Sequence, residues 1–201
     1  TAPAIGLITA VSGMLATGGS AVVMRKMGEH REQEARQDFT LLILTNVIVG
    51  AVMMLLGYTQ MDALLGSMGL SPEVFAYCRS YLGRYLLFTI PILLMYNFSL
   101  YLIAADRSKL SLICTVAGGI TNILLDYLLI AVLDMGIQGA AVATGLGYSI
   151  TAVVGFWVFC RGDCLLHFQK PVFRGGVLFH ASTNGMSELA TSLVSGITTL
   201  L

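Results

Sequence analysis

Charge is the scarcest property of this chain. Only 11% of its 201 residues are Asp, Glu, Lys or Arg, while 56% are hydrophobic, against about a quarter charged in a soluble domain. That deficit excludes an ordinary soluble globular domain and points to a helical integral membrane protein. The charges present sum to a formal net of +0, with no basic face for nucleic acid, so no nucleic-acid partner is expected. Cysteine is sparse too. Cys78, Cys114, Cys160 and Cys164 have neither CxxC nor Cys/His ligand spacing and read as buried or interfacial free thiols. Also lacking are HExxH, GxSxG and paired catalytic acids, which an intramembrane enzyme would need. No GxxxxGK[ST] loop is present to hydrolyse ATP, and no cofactor or bound metal is expected. No charged n-region precedes the apolar run at Thr1, and Leu201 falls inside another such run. The chain therefore reads as an internal piece of a larger membrane protein.

What the sequence does have is a series of uncharged runs, giving an all-α polytopic membrane protein with six transmembrane helices. Thr1–Met24 is rich in Gly, Ala, Ser and Thr, small residues that let membrane helices approach closely. The mixed-charge stretch Arg25–Asp38 is expected outside the membrane. Phe39–Met61 is a second span, and Asp62–Val74 an interfacial turn and loop ending where Ser71-Pro72 opens a helix. That helix runs over about Glu73–Ala105, and Pro91 in its interior should kink it. Asp106–Lys109 links it to Leu110–Leu133, and Asp134–Met135 is a tight exit to Gly136–Cys160. Arg161–Arg174 is a connector with an apolar half, and Gly175–Leu201 begins a sixth span. Lys and Arg gather in the first, third and fifth links, which the positive-inside rule assigns to the cytoplasm.

The stretch with chemistry in it is Leu110–Leu133. It is long enough to span a bilayer, yet it carries Asp126, with Asn122 one turn earlier. Thr115, Gly119, Asn122 and Asp126 follow one another at helical spacing. A carboxylate at membrane depth costs about 2.5–3.5 kcal/mol on insertion scales and faces a bundle interior or wet cavity. Such a carboxyl can take up and release a proton; alternatively Asp126, Asn122 and a neighbouring hydroxyl supply oxygens to Na⁺. The bland alternative is a helix-end acid at the outer headgroups. In the next span Gly139, Ala143 and Gly147 form a small-residue ridge, and Thr144 either faces a neighbour or bonds its own i−4 carbonyl. Asn46 and Asn97, lone amides in apolar spans, either line a cavity or bond a neighbouring helix. His30 and His167 read as solvated loop residues and His180 as interfacial.

Asn122-x-x-x-Asp126, a short turn, then Gly136-Ile137-Gln138-Gly139-Ala140-Ala141-x-Ala143-Thr144 resembles the multidrug and toxic compound extrusion (MATE) transporters of the MOP flippase superfamily. Arg25-Lys26-Met27-Gly28 with Ala35, and Asn184-Gly185-Met186-Ser187-Glu188, extend the resemblance over essentially the whole chain. It implies family helices two to six and the start of seven in a twelve-helix, two-lobe transporter. Residues 1–160 would belong to the first lobe, 161–176 to a cytoplasmic connector and 177–201 to the second lobe. It further implies alternating access, with small amphipathic organic cations exported in exchange for H⁺ or Na⁺ across the cell membrane, among membrane lipids and with the remaining half of the transporter. Asn122, Asp126 and Thr144 match that family's first-lobe cation site, which also uses an acid on a first helix. Glu188 sits about one turn before a glutamate of many relatives, and either lines the second-lobe cavity or caps its helix. Asn184 is a further cavity-lining candidate. A lipid-linked oligosaccharide flippase, which would need a strongly basic central cavity, and a non-transporting membrane scaffold are the alternatives.

Overall fold

The computed structural model describes residues 2–162 and 164–200, with side chains of 4–162, 164–192 and 194. Thr1, Asp163 and Leu201, included above in the first span, the connector and the last span, lie outside these. The elements are α1 (Ala2–Gly28), α2 (Glu32–Gly66), α3 (Pro72–Leu86), α4 (Thr89–Ala104), α5 (Ser108–Asp126), a π-helical turn (Tyr127–Val132), α6 (Gly136–Arg161) and α7 (Gly175–Leu200). Four of these helices are long and apolar enough to cross a membrane, five if the bent pair α3–α4 counts as one span. The sixth expected span, α7, is 26 residues long but is not among them. His180, Asn184 and Glu188 dilute its apolar content.

The bend bears out the expected kink and locates it. α3 and α4 meet at 52° across Leu87 and Phe88, four residues before Pro91. Proline has no N–H for the carbonyl at i−4, and its ring clashes with that carbonyl. The helix therefore breaks one turn upstream, and Pro91 itself sits in the first turn of α4, where a missing donor is tolerated.

The mixed-charge stretch Arg25–Asp38 differs from the loop expected. α1 continues through Arg25 and Lys26 to Gly28, only Glu29–Arg31 lie between the helices, and α2 starts at Glu32. His30 makes the reversal with φ 59°. Bases in the last turn of α1 and Glu32 and Glu34 in the first turn of α2 both oppose the helix dipoles favourably. Side by side, the two ends then exchange charge. Lys26 Nζ donates to Asp38 and, at 3.3 Å, to Glu34. Arg174, just before α7, reaches Glu34 at 2.9 Å and Asp38 at 3.5 Å. Asp38 is fully buried. α2 thus runs 35 residues, about 52 Å at 1.5 Å per residue, well beyond a hydrocarbon core of about 30 Å.

Beside this hub lies the aromatic core. Phe39 touches Tyr101 edge-on at 4.8 Å and tilts against Phe159 at 4.9 Å and Phe168 at 5.2 Å, joining α2, α4, α6 and the connector. Deeper between α2 and α4, Asn46 and Asn97 are both fully buried and exchange amide bonds of 3.2 and 2.9 Å. Each also donates to its own helix's i−4 carbonyl. Of the two alternatives for these amides, the structure shows the bond to a neighbouring helix in place of cavity lining: both are fully buried and pair across α2 and α4. Cys78 is half-buried, Cys114 and Cys164 are buried and Cys160 is exposed, all four as free thiols.

Removing Asp38 leaves Lys26 half-stranded in a place with little water. Asp38→Ala in the full-length protein is expected to lower unfolding stability by about 3–5 kcal/mol, measured by denaturant unfolding in detergent. A loss below 1 kcal/mol would show that the buried pair does not hold α1 to α2.

Candidate cation site

α5 and α6 are joined by the tight exit foreseen at Asp134–Met135. Asp134 and Gly136 both take positive φ there, 51° and 55°, and Met135 N–H closes on Leu129 O at 2.9 Å. The two helices then pack backbone to backbone. A Cβ on Gly118 would stand 2.8 Å from Gly147 O, and one on Gly147 would stand 2.8 Å from Gly118 O. Gly147 belongs to the small-residue ridge read from the sequence; Gly118, its partner, was not singled out. Its signal was the Gly118-Gly119 pair one turn before Asn122.

This approach brings Asn122 to Thr144. Asn122 Nδ2 donates to Thr144 Oγ1 at 3.3 Å, while the Thr144 hydroxyl donates to Ala140 O at 2.9 Å. Both roles weighed for Thr144 are therefore filled at once. Thr115, Gly119, Asn122, Thr144 and Thr151, with Met95 from α4, line a cavity of 310 Å³. Asp126 lies one turn further on and is not among its lining residues. The structure thus joins two of the three expected site residues and leaves the third beside them. No hydrogen bond links Asp126 to either. Its Oδ1 is buried without a partner, and the carboxylate acts electrostatically on Tyr81 of α3.

Asp126 closes the α-helical part of α5, and the π-helical turn Tyr127–Val132 follows directly. Such turns contain one residue more per repeat and occur frequently at functional sites. A buried carboxylate oxygen with no donor is unstable as an anion. A proton or a cation bound at that oxygen would relieve it.

The α7 candidates fall elsewhere. Glu188 is exposed, with its Cγ 3.1 Å from the point a Cβ on Gly13 would occupy. Asn184 and His180 line a different cavity, near Lys26 and Arg174. α7 packs on α1 more extensively than any other pair of helices packs. A Cβ on Gly18 would meet Ala181 O at 1.8 Å, and one on Gly185 would meet Met14 O at 2.0 Å.

With that geometry in view, the MatE family model matches residues 1–128. The chain belongs to the MatE family. A curated relative, multidrug export protein MepA of Staphylococcus saprophyticus, is 19% identical over the whole of this chain, which spans 45% of that protein. Two solved structures of multidrug resistance MATE family transporters of the MOP superfamily share its fold at 22% identity. The inward-facing one superimposes with a TM-score of 0.90 over 97% of this chain and 45% of its own. The outward-facing one gives the same 0.90 over 98% and 45%. The chain thus spans about half the length of the relatives it matches. MATE proteins are transporters, and the helical, multi-pass fold makes this MatE chain an integral membrane protein.

The α5–α6 contact leaves no space for a methyl group. Gly147→Ala in this MatE chain should force the helices apart, lengthen the Asn122–Thr144 bond and destabilise the protein by about 1–3 kcal/mol. Thermal unfolding of the full-length protein in detergent checks this, and an unchanged midpoint would mean the close approach is not sustained in the native protein.

Proposed function

We propose that the complete protein is a secondary active exporter of amphipathic organic cations, driven by antiport with H⁺ or Na⁺ and working by alternating access. The observation that carries the coupling role is the buried, unpartnered Asp126 Oδ1 one turn beyond the Asn122–Thr144 pair. In this reading a carboxylate at Asp126 has no cation and no hydrogen-bond donor at Oδ1 among the described residues to answer its charge. Loading a proton removes that charge; loading Na⁺ balances it, with the Asn122 Oδ1 and Thr144 Oγ1 oxygens as further ligands for a hard cation. Either event changes the relative stability of two conformations by the difference in affinity between them, and no more. The printed description of the MepA relative as a multidrug export protein supports small-molecule export. Equal likeness to inward- and outward-facing relatives supports a helix arrangement that survives the conformational change. In this reading residues 1–160 move as the first lobe, with α7 opening the second.

The test is efflux of a fluorescent organic cation from cells expressing the full reading frame, wild type against Asp126→Asn. The amide keeps the shape and removes the titrating charge. Efflux is expected to collapse at unchanged membrane expression, and dissipating the effective gradient, proton or sodium, should abolish the wild-type activity. Undiminished efflux by the variant would remove Asp126 from the coupling mechanism.

A further inference from the structure

A second cavity, of 370 Å³, opens where α1 ends, the Glu29–Arg31 turn begins and α7 starts. It has the opposite chemistry to the α5–α6 site. Arg25, Lys26, Arg31 and Arg174 line it, with Glu29 the one carboxylate among the lining residues. Lys26, Arg31 and Arg174 are engaged by Glu34 from α2, which holds them in place without lining the cavity. Arg25 is freer. It is 81% exposed, gives only its Nε to Glu29, and its two terminal nitrogens make no hydrogen bond among the described residues.

The backbone adds donors. α7 opens with Gly175-Gly176, and Gly176 lines the cavity. Neither glycine has anything near the position of a Cβ. No acidic residue stands in this helix's first turn; Val177 N–H closes on Arg174 O at 3.0 Å, which leaves the Gly175 and Gly176 N–H groups at the positive end of the helix dipole. A cluster of fixed guanidinium groups beside a bare helix start suits an oxyanion, and planar guanidinium matches phosphate oxygens in bidentate fashion.

We propose that this cavity binds a phosphate-bearing anion, held by Arg25, Arg31 and Arg174 and by the Gly175 and Gly176 amides at the start of α7. Its volume is about twelve times the ~30 Å³ share of one water, room for a phosphodiester with a glycerol attached. The cavity also sits at the end of membrane-crossing α1, on the side where Lys and Arg accumulate, the side that faces anionic lipid under the positive-inside rule. An acidic phospholipid headgroup and a free phosphate share this chemistry. The ligand would tie α1, α2 and α7 together at one face of the bundle, independently of what the protein transports.

The experiment uses the full-length protein in neutral detergent, as wild type and as Arg25→Gln/Arg31→Gln. This double variant leaves Lys26–Asp38 and Arg174–Glu34 untouched and is expected to fold. Thermal midpoints are recorded with added phosphatidylglycerol, phosphatidylcholine or inorganic phosphate. Wild type is expected to be stabilised by phosphatidylglycerol and not by phosphatidylcholine, and the variant to bind phosphatidylglycerol about tenfold more weakly as charge-assisted contacts are lost. Equal stabilisation by inorganic phosphate, lost in the variant, would assign the site to a soluble anion. No stabilisation by either phosphate source, or stabilisation unaltered in the double variant, overturns the proposal. Arg174→Gln provides a second check from the α7 side and should weaken the same ligand.

Discussion

In hydrocarbon no water answers a polar group, so each one must find a partner in the protein. That requirement organises this fold more than hydrophobic burial, since lipid is as apolar as the helices themselves. Lys26 and Asp38 pair where α1 and α2 turn back; Asn46 and Asn97 pair between α2 and α4; Asn122 and Thr144 pair between α5 and α6. Each bond joins a different pair of helices. Membrane amide bonds contribute only about 0.6–1.7 kcal/mol each, yet an amide left alone costs more than the bond returns. The polar pairs therefore fix which helices meet and at what height, while small residues determine how closely.

Close approach is achieved with glycine at two interfaces of different kinds. Between α5 and α6 the carbonyl of each of Gly118 and Gly147 faces the place where the other would carry a Cβ, and the site residues stand one turn away. Between α1 and α7 Gly18 and Gly185 do the same work against Ala181 O and Met14 O. Without side chains the helices gain dispersion contacts and weak Cα–H bonds along their length. The first interface sets a distance that the Asn122–Thr144 bond depends on. The second seats the last helix of the chain on its first.

Most of the architecture was legible because the uncharged runs and the breaks between them are a direct consequence of the bilayer. Asn122 and Asp126 stand out in the sequence for the same reason, as polar residues at membrane depth, whereas Thr144 came to them only through the family resemblance; the structure bonds Thr144 to Asn122 and leaves Asp126 apart. The hub around Asp38 was not. Its charges lie in a stretch whose composition reads as solvated, and only the pairing of two helix ends reveals that Asp38 enters the core. A partial signal was there, since Asp38 directly precedes the charge-free run at Phe39 and so starts at the edge of the apolar region. Pairing partners such as Asn46 and Asn97, 51 residues apart, likewise cannot be matched from spacing, because helix contacts depend on rotation and crossing angle as well as on sequence position.

Among the described residues, three buried side-chain oxygens make no hydrogen bond: Asp38 Oδ1, Tyr101 Oη and Asp126 Oδ1. The first two belong together. Tyr101 feels the Asp38 charge, and Gly19 leaves its hydroxyl space, since a Cβ there would sit 2.8 Å away. Asp38 also has Lys26 and Arg174 as counter-charges, so its carboxylate stays compensated even with one oxygen unbonded. Asp126 has no such cation: among the described residues it forms no ion pair. The same atom-level deficiency thus has different consequences at the two acids. At Asp38 it is a local imperfection inside a neutralised cluster, which keeps the charge fixed and the helices joined. At Asp126 it leaves a buried oxygen with neither a hydrogen-bond partner nor an ion pair among the described residues, one turn from the Asn122–Thr144 bond.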